Sequence, residues 1–208
     1  DPSGKDVYDR TVQFVLFLAL RKLYPEARCK MDCTVGSALF VEVCDAENFS
    51  CEDLKEQVQL LVDQDIPLIR RRTTTEKAIE QFYAMGQPDK ARLLHWRTDP
   101  YFDQYIYEDF ADYFYGELAP STGYLMTWDI LPADGGFLFV YPDAENPNTV
   151  AEFRQMPNFL AVSREGERWC KLMECETVAD LNDLVCSGKI RELIRVNEAL
   201  HEKSYARL

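Results

Sequence analysis

The fold is decided by residues 6–44, which read DVYDRTVQFVLFLALRKLYPEARCKMDCTVGSALFVEVC. Residues 6–24 place apolar side chains at helical spacing around most of the helix surface, and Pro25 ends this predicted helix. A helix of this kind is typical of the inside of a protein core. Residues 28–44 then alternate apolar and polar side chains on both sides of a Gly-Ser pair, which predicts a β-hairpin.

The rest of the chain is predicted to add strands and to end in helices. Helices are expected to begin at Ser50 and at Thr73, with a short strand over 68–73 between them. Short strands and turns are expected in the aromatic-rich segment 101–115. Two further strands are predicted, over 124–132 and 136–141. Three helices are predicted to follow, over 157–175, 177–187 and 189–204.

This order predicts an α+β fold with a mostly antiparallel sheet packed on a long central helix. A loop rich in Pro and Asn covers residues 142–149 and indicates a boundary. We therefore expect residues 1–148 to form the α+β domain and residues 149–208 to form a helical extension. Because the chain begins at Asp1 and not at Met, we expect it to be a segment of a longer protein.

Composition and charge narrow the classes of partner. The 208 residues contain 23 Lys and Arg against 36 Asp and Glu, which leaves a net charge of −13. An acidic surface repels phosphate backbones, so autonomous nucleic-acid binding is not expected. The longest apolar run, Phe14–Leu20, is far shorter than the ~20 residues that span a bilayer, so no membrane partner is expected either.

The residues that commonly build metal and phosphate sites are not spaced for those sites. The seven cysteines form no Cys-x-x-Cys pair, and a reduced, cytoplasmic protein is the simplest interpretation. Only two histidines are present, so a zinc site is not expected. The sequence has neither Gly-x-x-x-x-Gly-Lys-Ser/Thr nor Gly-x-Gly-x-x-Gly, so we expect no cofactor to bind within this segment.

Two short motifs leave a structural and a functional interpretation open. The run Arg70-Arg71-Arg72 is either a solvated edge strand paired with local carboxylates or a contact for an anion or a partner. The segment Pro120-Ser121-Thr122-Gly123 is either a simple turn or a turn whose hydroxyl groups bind a phosphate or carboxylate.

The order of several motifs resembles the second additional domain of threonyl-tRNA synthetase, over about residues 6–142. The segments that carry the resemblance are Arg10–Pro25, the hairpin, Asp65–Arg71, Glu76–Phe82, Lys90 and Asp112–Gly123. In that family the domain hydrolyses serine mischarged on threonine tRNA. Its chemistry uses a His-x-x-x-His motif and a later Cys-x-x-x-His motif.

The family's catalytic positions are all replaced in this sequence. The first motif falls on Arg10 and Phe14, and the second falls on Phe114 and Leu118. A guanidinium, two phenyl rings and an isobutyl group cannot reproduce imidazole and thiol chemistry. The resemblance therefore implies a retained fold with a lost editing centre, and no metal. The vestigial pocket is expected to comprise Arg10, Phe14, Lys90, Asp112, Phe114, Tyr115, Gly116 and Leu118.

A second resemblance covers nearly the whole chain. Bacterial uridine kinase-like proteins of the phosphoribulokinase/uridine kinase family often carry such a domain before a P-loop kinase domain. The matching segments are Val7–Thr11, Asp112–Gly116, Pro120–Leu125, Gly135–Pro142, Asp180–Asn182 and Ile194–Lys203. The resemblance implies a non-catalytic accessory or regulatory region, with the kinase domain in cis as its partner and with ATP and Mg²⁺ bound by that kinase domain.

Two other functions stay open. A surviving aminoacyl-tRNA or aminoacyl-ester hydrolase would need Asp112, Lys90 and Tyr115 for acid–base work. A sensor module would bind a small metabolite in the old pocket. In either case Arg10 lies one helical turn before Phe14, and we expect its guanidinium to meet Asp112, a neighbouring carboxylate or an anionic ligand, with residues 115–123 as the rim.

Overall fold

A computed structural model describes the backbone of residues 2–206 and their side chains, except the side chains of residues 2, 32, 157, 159 and 160. The helices are α1 (Pro2–Leu23), α2 (Cys51–Asp63), α3 (Thr75–Ala84), α4 (Pro88–Leu94), α5 (Pro157–Leu172), α6 (Val178–Cys186) and α7 (Ile190–Tyr205). The strands are β1 (Arg28–Val35), β2 (Ala38–Cys44), β3 (Ile69–Thr74), β4 (Tyr101–Tyr107), β5 (Phe110–Asp112), β6 (Asp129–Ala133) and β7 (Gly136–Val140).

The strands form two sheets. The four-stranded sheet has the order β1-β2-β7-β6, and each neighbouring pair in it is antiparallel. The three-stranded sheet has the order β3-β4-β5, with β4 antiparallel to β5. The predicted α+β class with antiparallel strands is thus confirmed, although the strands divide between two sheets.

The hairpin of β1 and β2 forms in the predicted place, because Val35 pairs with Ala38 across the Gly-Ser turn. The register then continues into β7, where Gly136 stands opposite Glu42. A Cβ atom at Gly136 would overlap the Val41 carbonyl oxygen, so only glycine fits this close strand approach.

The segment after the turn at 120–123 differs from its predicted form. Residues 124–132 were expected to be one strand, but a short 3₁₀ helix covers Thr122–Tyr124 and β6 begins only at Asp129. The reason is a tertiary contact, since the hydroxyl and the N–H of Thr122 are bonded to residues 61–66 and this segment therefore cannot extend into a strand.

The chain divides into two compact units. The first comprises the residues through Arg71 together with Asp103–Met156, and the second comprises Arg72–Phe102 together with the residues from Pro157 onward. The sequence predicts a boundary at 148/149. Residues 72–102 share the second unit with the C-terminal helices, and within it Arg92 of α4 donates hydrogen bonds to Asp180 (2.9 Å) and Asp183 (2.6 Å) on α6.

The core of the first unit lies along α1 and the inner faces of its strands. Helix α1 buries Val12, Phe14, Val15, Leu16, Leu18, Ala19 and Leu20. These side chains share one hydrophobic cluster with residues of α2, β2 and β7. Among the described residues, no helix combines the length and apolar composition that crossing a bilayer requires.

Candidate functional site

An aromatic cluster in the first unit surrounds Phe14, the position where the resemblance places an editing histidine. The Phe14 side chain is fully buried. Its ring centroid lies 5.2 Å from that of Phe110 and 6.4 Å from those of Tyr105 and Phe114. The rings of Tyr105 and Phe114 also meet edge to face at 6.4 Å. Apolar rings therefore surround the Phe14 side chain.

Arg10 lies one turn earlier on α1 and meets the backbone of the segment after Phe114. Its Nε donates a hydrogen bond to the Glu117 carbonyl at 3.0 Å. Its guanidinium also lies directly over Gly116, where a Cβ atom would be only 2.6 Å from Arg10 Cζ. The Arg10 side chain is thus engaged by the backbone of residues 116–117.

The backbone of residues 118–119 is fixed to the same cluster by two side-chain hydroxyl groups. The Leu118 N–H donates to the Tyr105 hydroxyl at 3.0 Å, and the Ala119 N–H donates to the Thr11 hydroxyl at 2.8 Å. Thr11 in turn donates to the Val7 carbonyl within α1. Leu118 is itself nearly buried in the core. The four positions Arg10, Phe14, Phe114 and Leu118 thus lie around one small region.

Asp112 and Tyr115 differ sharply in exposure. The Asp112 side chain is 3% exposed at the end of β5, and its Oδ1 accepts a hydrogen bond from the Tyr113 N–H at 2.8 Å. Tyr115 is 83% exposed, and its ring meets that of Tyr113 edge to face at 6.0 Å. A buried carboxylate and a solvent-exposed phenol do not form an acid–base pair in this arrangement.

Lys90 belongs to the second unit, where its ammonium group contacts an aromatic side chain. It lies on α4, with its ammonium 5.8 Å from the centre of the Phe82 ring. Phe82 on α3 is fully buried and meets Phe102 edge to face at 6.4 Å. Within its unit, Lys90 therefore covers an aromatic core residue in a cation–π contact.

The turn Pro120-Ser121-Thr122-Gly123 is occupied by groups of its own chain. The Asp65 Oδ1 accepts hydrogen bonds from the Ser121 hydroxyl and, at 3.2 Å, from the Gly123 N–H. The buried Thr122 hydroxyl accepts from the Ile66 N–H at 2.9 Å and donates to a carbonyl of α2. The donors that the sequence offered to an external anion thus bind the Asp65 carboxylate, which makes this turn a structural closure.

Sequence reasoning missed a group of polar residues at the start of α1. The Tyr8 hydroxyl donates to the Thr127 carbonyl at 2.8 Å, and its ring meets that of Tyr141 at 6.4 Å. Burial raises the pKa of both tyrosines far above the usual value. Burial likewise raises the pKa of Asp9, whose Oδ1 is buried without a hydrogen-bond partner. The sequence feature that could have indicated this group is Asp9, a charged residue within a helix that is otherwise apolar.

The second unit contains a groove between α5 and α7 with a volume of about 560 Å³. The lining side chains are Glu165, Arg168, Trp169, Lys171, Leu172, Leu200, Lys203 and Ser204. Three of them are cationic and one is anionic, in a chain whose net charge is −13. The Trp169 ring meets the His201 ring edge to face at 5.1 Å. This groove combines positive charge with an aromatic surface.

The described residues contain no group of three or more His, Cys, Asp or Glu side chains arranged to hold a metal ion. The cysteines in this part of the chain are all free thiols. The residues at the four resembled catalytic positions have no ligand atoms except the Arg10 guanidinium, which is a cation and does not coordinate metals.

Comparison with known proteins agrees with the first resemblance. No protein-family model matches the chain. The chain is 26% identical over 143 residues to a threonine–tRNA ligase of Burkholderia multivorans, which covers 66% of this chain and 22% of the ligase. The corresponding ligase of Carboxydothermus hydrogenoformans is 26% identical over 141 residues. The ligase of Methylobacillus flagellatus is 24% identical over 141 residues.

The chain thus spans about a fifth of the length of these curated relatives, since the matched part is 22% of each. The similarity supports a threonyl-tRNA synthetase editing-domain-like module in this chain. The α+β architecture with antiparallel sheets is consistent with that module.

Proposed function

We propose that this chain is a non-catalytic accessory module, built on a threonyl-tRNA synthetase editing-like fold, that serves a cytoplasmic nucleoside kinase-like protein. The observation that carries the loss of catalysis is the burial of Phe14 among three aromatic rings. Phosphoryl transfer from ATP, with its Mg²⁺, would belong to the kinase domain in cis.

The chemistry at the site supports a module without hydrolytic activity. Ester hydrolysis requires a group that activates water and a group that stabilises the developing oxyanion. Phenyl and isobutyl side chains have no lone pair or acidic proton for either task. Arg10 has donors, but its Nε donates to the Glu117 carbonyl and its guanidinium packs on Gly116.

The test uses the threonine tRNA charged either with serine or with threonine, and measures whether the purified chain removes the amino acid. The Burkholderia multivorans ligase is the active control. We expect release of amino acid at the rate measured without protein. Release that depends on the chain, and that is abolished by Asp112→Asn with the fold intact, would replace this proposal with a hydrolase that uses a rebuilt site.

The kinase assignment has a separate test. The protein that contains this segment should carry Gly-x-x-x-x-Gly-Lys-Ser/Thr within about 40 residues after Leu208, because phosphate binding needs that loop. It should also transfer the ATP γ-phosphate to uridine. The isolated 208-residue chain should transfer none. A downstream sequence without that loop would contradict the assignment to a kinase-like protein. It would not affect the proposal that this chain has no hydrolytic activity.

A sensor role is the second candidate, and the groove between α5 and α7 favours it. Arg168, Lys171 and Lys203 line the groove, and the described residues give them no carboxylate partner. Trp169 supplies an aromatic surface beside them. We propose that this groove takes a ligand with phosphate groups and a flat ring, because cations bind phosphates and an indole stacks on a base.

Calorimetry with ATP, adenosine and inorganic triphosphate tests this second candidate. Arg168→Ala with Lys203→Ala should weaken ATP binding by about tenfold or more at low salt. The matched control is Arg191→Ala with Arg195→Ala, which changes the net charge equally on exposed sites of α7 outside the groove. Equal loss in both double variants would indicate general electrostatic attraction and would contradict a site in the groove.

A further inference from the structure

The C-terminal end of α5 brings two cysteines together. The Cys175 N–H donates to the Cys170 carbonyl at 3.0 Å, and the Glu174 N–H donates to the Lys171 carbonyl at 3.1 Å. Glu174 adopts a left-handed backbone with φ of 52°. These two bonds and this dihedral angle define a Schellman motif, which reverses the chain at the end of a helix.

The Schellman motif brings the backbones of the two cysteines into direct contact, since the Cys175 N–H bonds to the Cys170 carbonyl. In a Schellman motif, the two residues joined by the bond that spans six residues commonly pack their side chains together. Here these two residues are Cys170 and Cys175. Burial raises the pKa of the Cys175 thiol, and the neighbouring Asp180 and Cys170 add to this rise, which is consistent with a short distance between the two thiols. Disulfides join residues whose Cα atoms are about 4.4–6.8 Å apart, and the 3.0 Å bond from the Cys175 N–H to the Cys170 carbonyl holds the two backbones close together.

The thiols are free and reachable. Both cysteines are partly exposed and neither is bonded to another cysteine. Cys175 lies just before α6, whose first turn is held by a capping box between Thr177 and Asp180. A bond at this turn therefore needs little rearrangement of the helices on either side.

We propose that Cys170 and Cys175 form a reversible disulfide when the protein meets a peroxide. One thiolate attacks the peroxide O–O bond, which gives a sulfenic acid and releases hydroxide or alkoxide. The second thiolate attacks the sulfenic sulfur, forms the S–S bond and expels hydroxide. The two sulfurs lose two electrons, and with the two thiol protons hydrogen peroxide is reduced to two waters. A dithiol reductant restores both thiols.

The consequence is a covalent clasp across the turn between α5 and α6. Met173 and Glu174 at this turn would lose the freedom to open, so the C-terminal end of α5 could not fray. The proposal does not depend on the kinase assignment or on the loss of editing chemistry, because it rests on the geometry of this turn alone.

The experiment treats the folded 208-residue chain with hydrogen peroxide, blocks remaining thiols with a maleimide and maps peptides by mass spectrometry. We expect a peptide pair linked through Cys170 and Cys175, lighter by two hydrogen atoms, which dithiothreitol reverses. In a glutathione redox buffer the linked fraction should be on the order of tenfold higher for the folded protein than in concentrated urea, because the turn raises the effective thiol concentration.

The controls separate this bond from general oxidation. Cys186→Ser removes an exposed thiol of α6 and should leave the linked peptide unchanged. Cys175→Ser should abolish it and leave Cys170 open to maleimide or to further oxidation. Folded protein in which Cys170 and Cys175 are both still labelled after Cys186 has been oxidised would overturn the proposal. Predominant pairing of either cysteine with another partner would do so as well.

Discussion

Replacing Phe14 by Ala tests whether aromatic rings really fill the region where an editing centre would lie. Phe14 is fully buried, and three rings contact it at centroid distances of 5.2–6.4 Å. The substitution removes the phenyl group and opens a cavity that these neighbours can close only in part, because Tyr105 and Phe110 are held by strands β4 and β5.

The size of the effect follows from these contacts. Phe-to-Ala substitutions in cores cost about 3–5 kcal/mol of unfolding free energy. Aromatic pairs add ~0.5–1.5 kcal/mol each beyond the buried area, which places Phe14→Ala in the upper part of that range. For a chain of this length ~1 kcal/mol lowers Tm by roughly 2–4 °C, so we expect a decrease of about 8–20 °C.

Urea unfolding followed by circular dichroism and tryptophan fluorescence measures this change. Trp128 reports on the first unit, since its ring stacks on Phe139 at 5.9 Å. Phe14→Leu is the matched control and should cost only about 1–1.5 kcal/mol, because most of the volume is kept. Benzene should partly restore the Tm of Phe14→Ala by entering a dry apolar cavity. A loss below ~1 kcal/mol for Phe14→Ala would refute the filled-cleft interpretation.

Three further predictions concern polar contacts. Gly116→Ala displaces the Arg10 guanidinium, so a double-mutant cycle with Arg10→Ala should give a coupling energy of ~0.5–1.5 kcal/mol, and simple additivity would contradict the contact. Thr122→Val leaves two buried backbone groups without a partner and should cost ~2–4 kcal/mol, whereas Thr122→Ser should keep most of the stability in urea titrations. Hydrogen bonds from Thr177, followed by Arg92, lower the pKa of Asp180, so its stabilisation is present at neutral pH and is lost as pH falls through that lowered pKa. On acidification, the urea midpoint of Asp180→Asn should therefore fall less than that of the unchanged protein. The same pH profile in both proteins would contradict a pH-dependent stabilisation by the Asp180 carboxylate.

The hairpin and the helices were predictable because their signals are local. Alternation over 28–44 and the Gly-Ser turn specify which residues pair, and the pairing of Val35 with Ala38 follows directly. The capping signal at Ser50 is equally local, since the Ser50 hydroxyl accepts a hydrogen bond from the Asp53 N–H three residues later.

The replaced positions were predictable only through the resemblance. Residue chemistry and motif order indicated that Arg10, Phe14, Phe114 and Leu118 lie near one another. No local pattern indicates that the guanidinium of Arg10 bonds to a main-chain carbonyl, since that choice depends on how the backbone of residues 116–117 passes over α1.

By itself, the sequence determined the fold class, the hairpin and the apolar first helix. Tertiary structure alone decided that residues 72–102 join the C-terminal helices through Arg92, and that Asp65 closes the turn at 120–123. It also decided that the Cys175 N–H bonds to the Cys170 carbonyl across a left-handed turn. Secondary structure follows from neighbours within a few positions, whereas most of these contacts join groups tens of residues apart, and only the packed backbone brings such groups within hydrogen-bond distance.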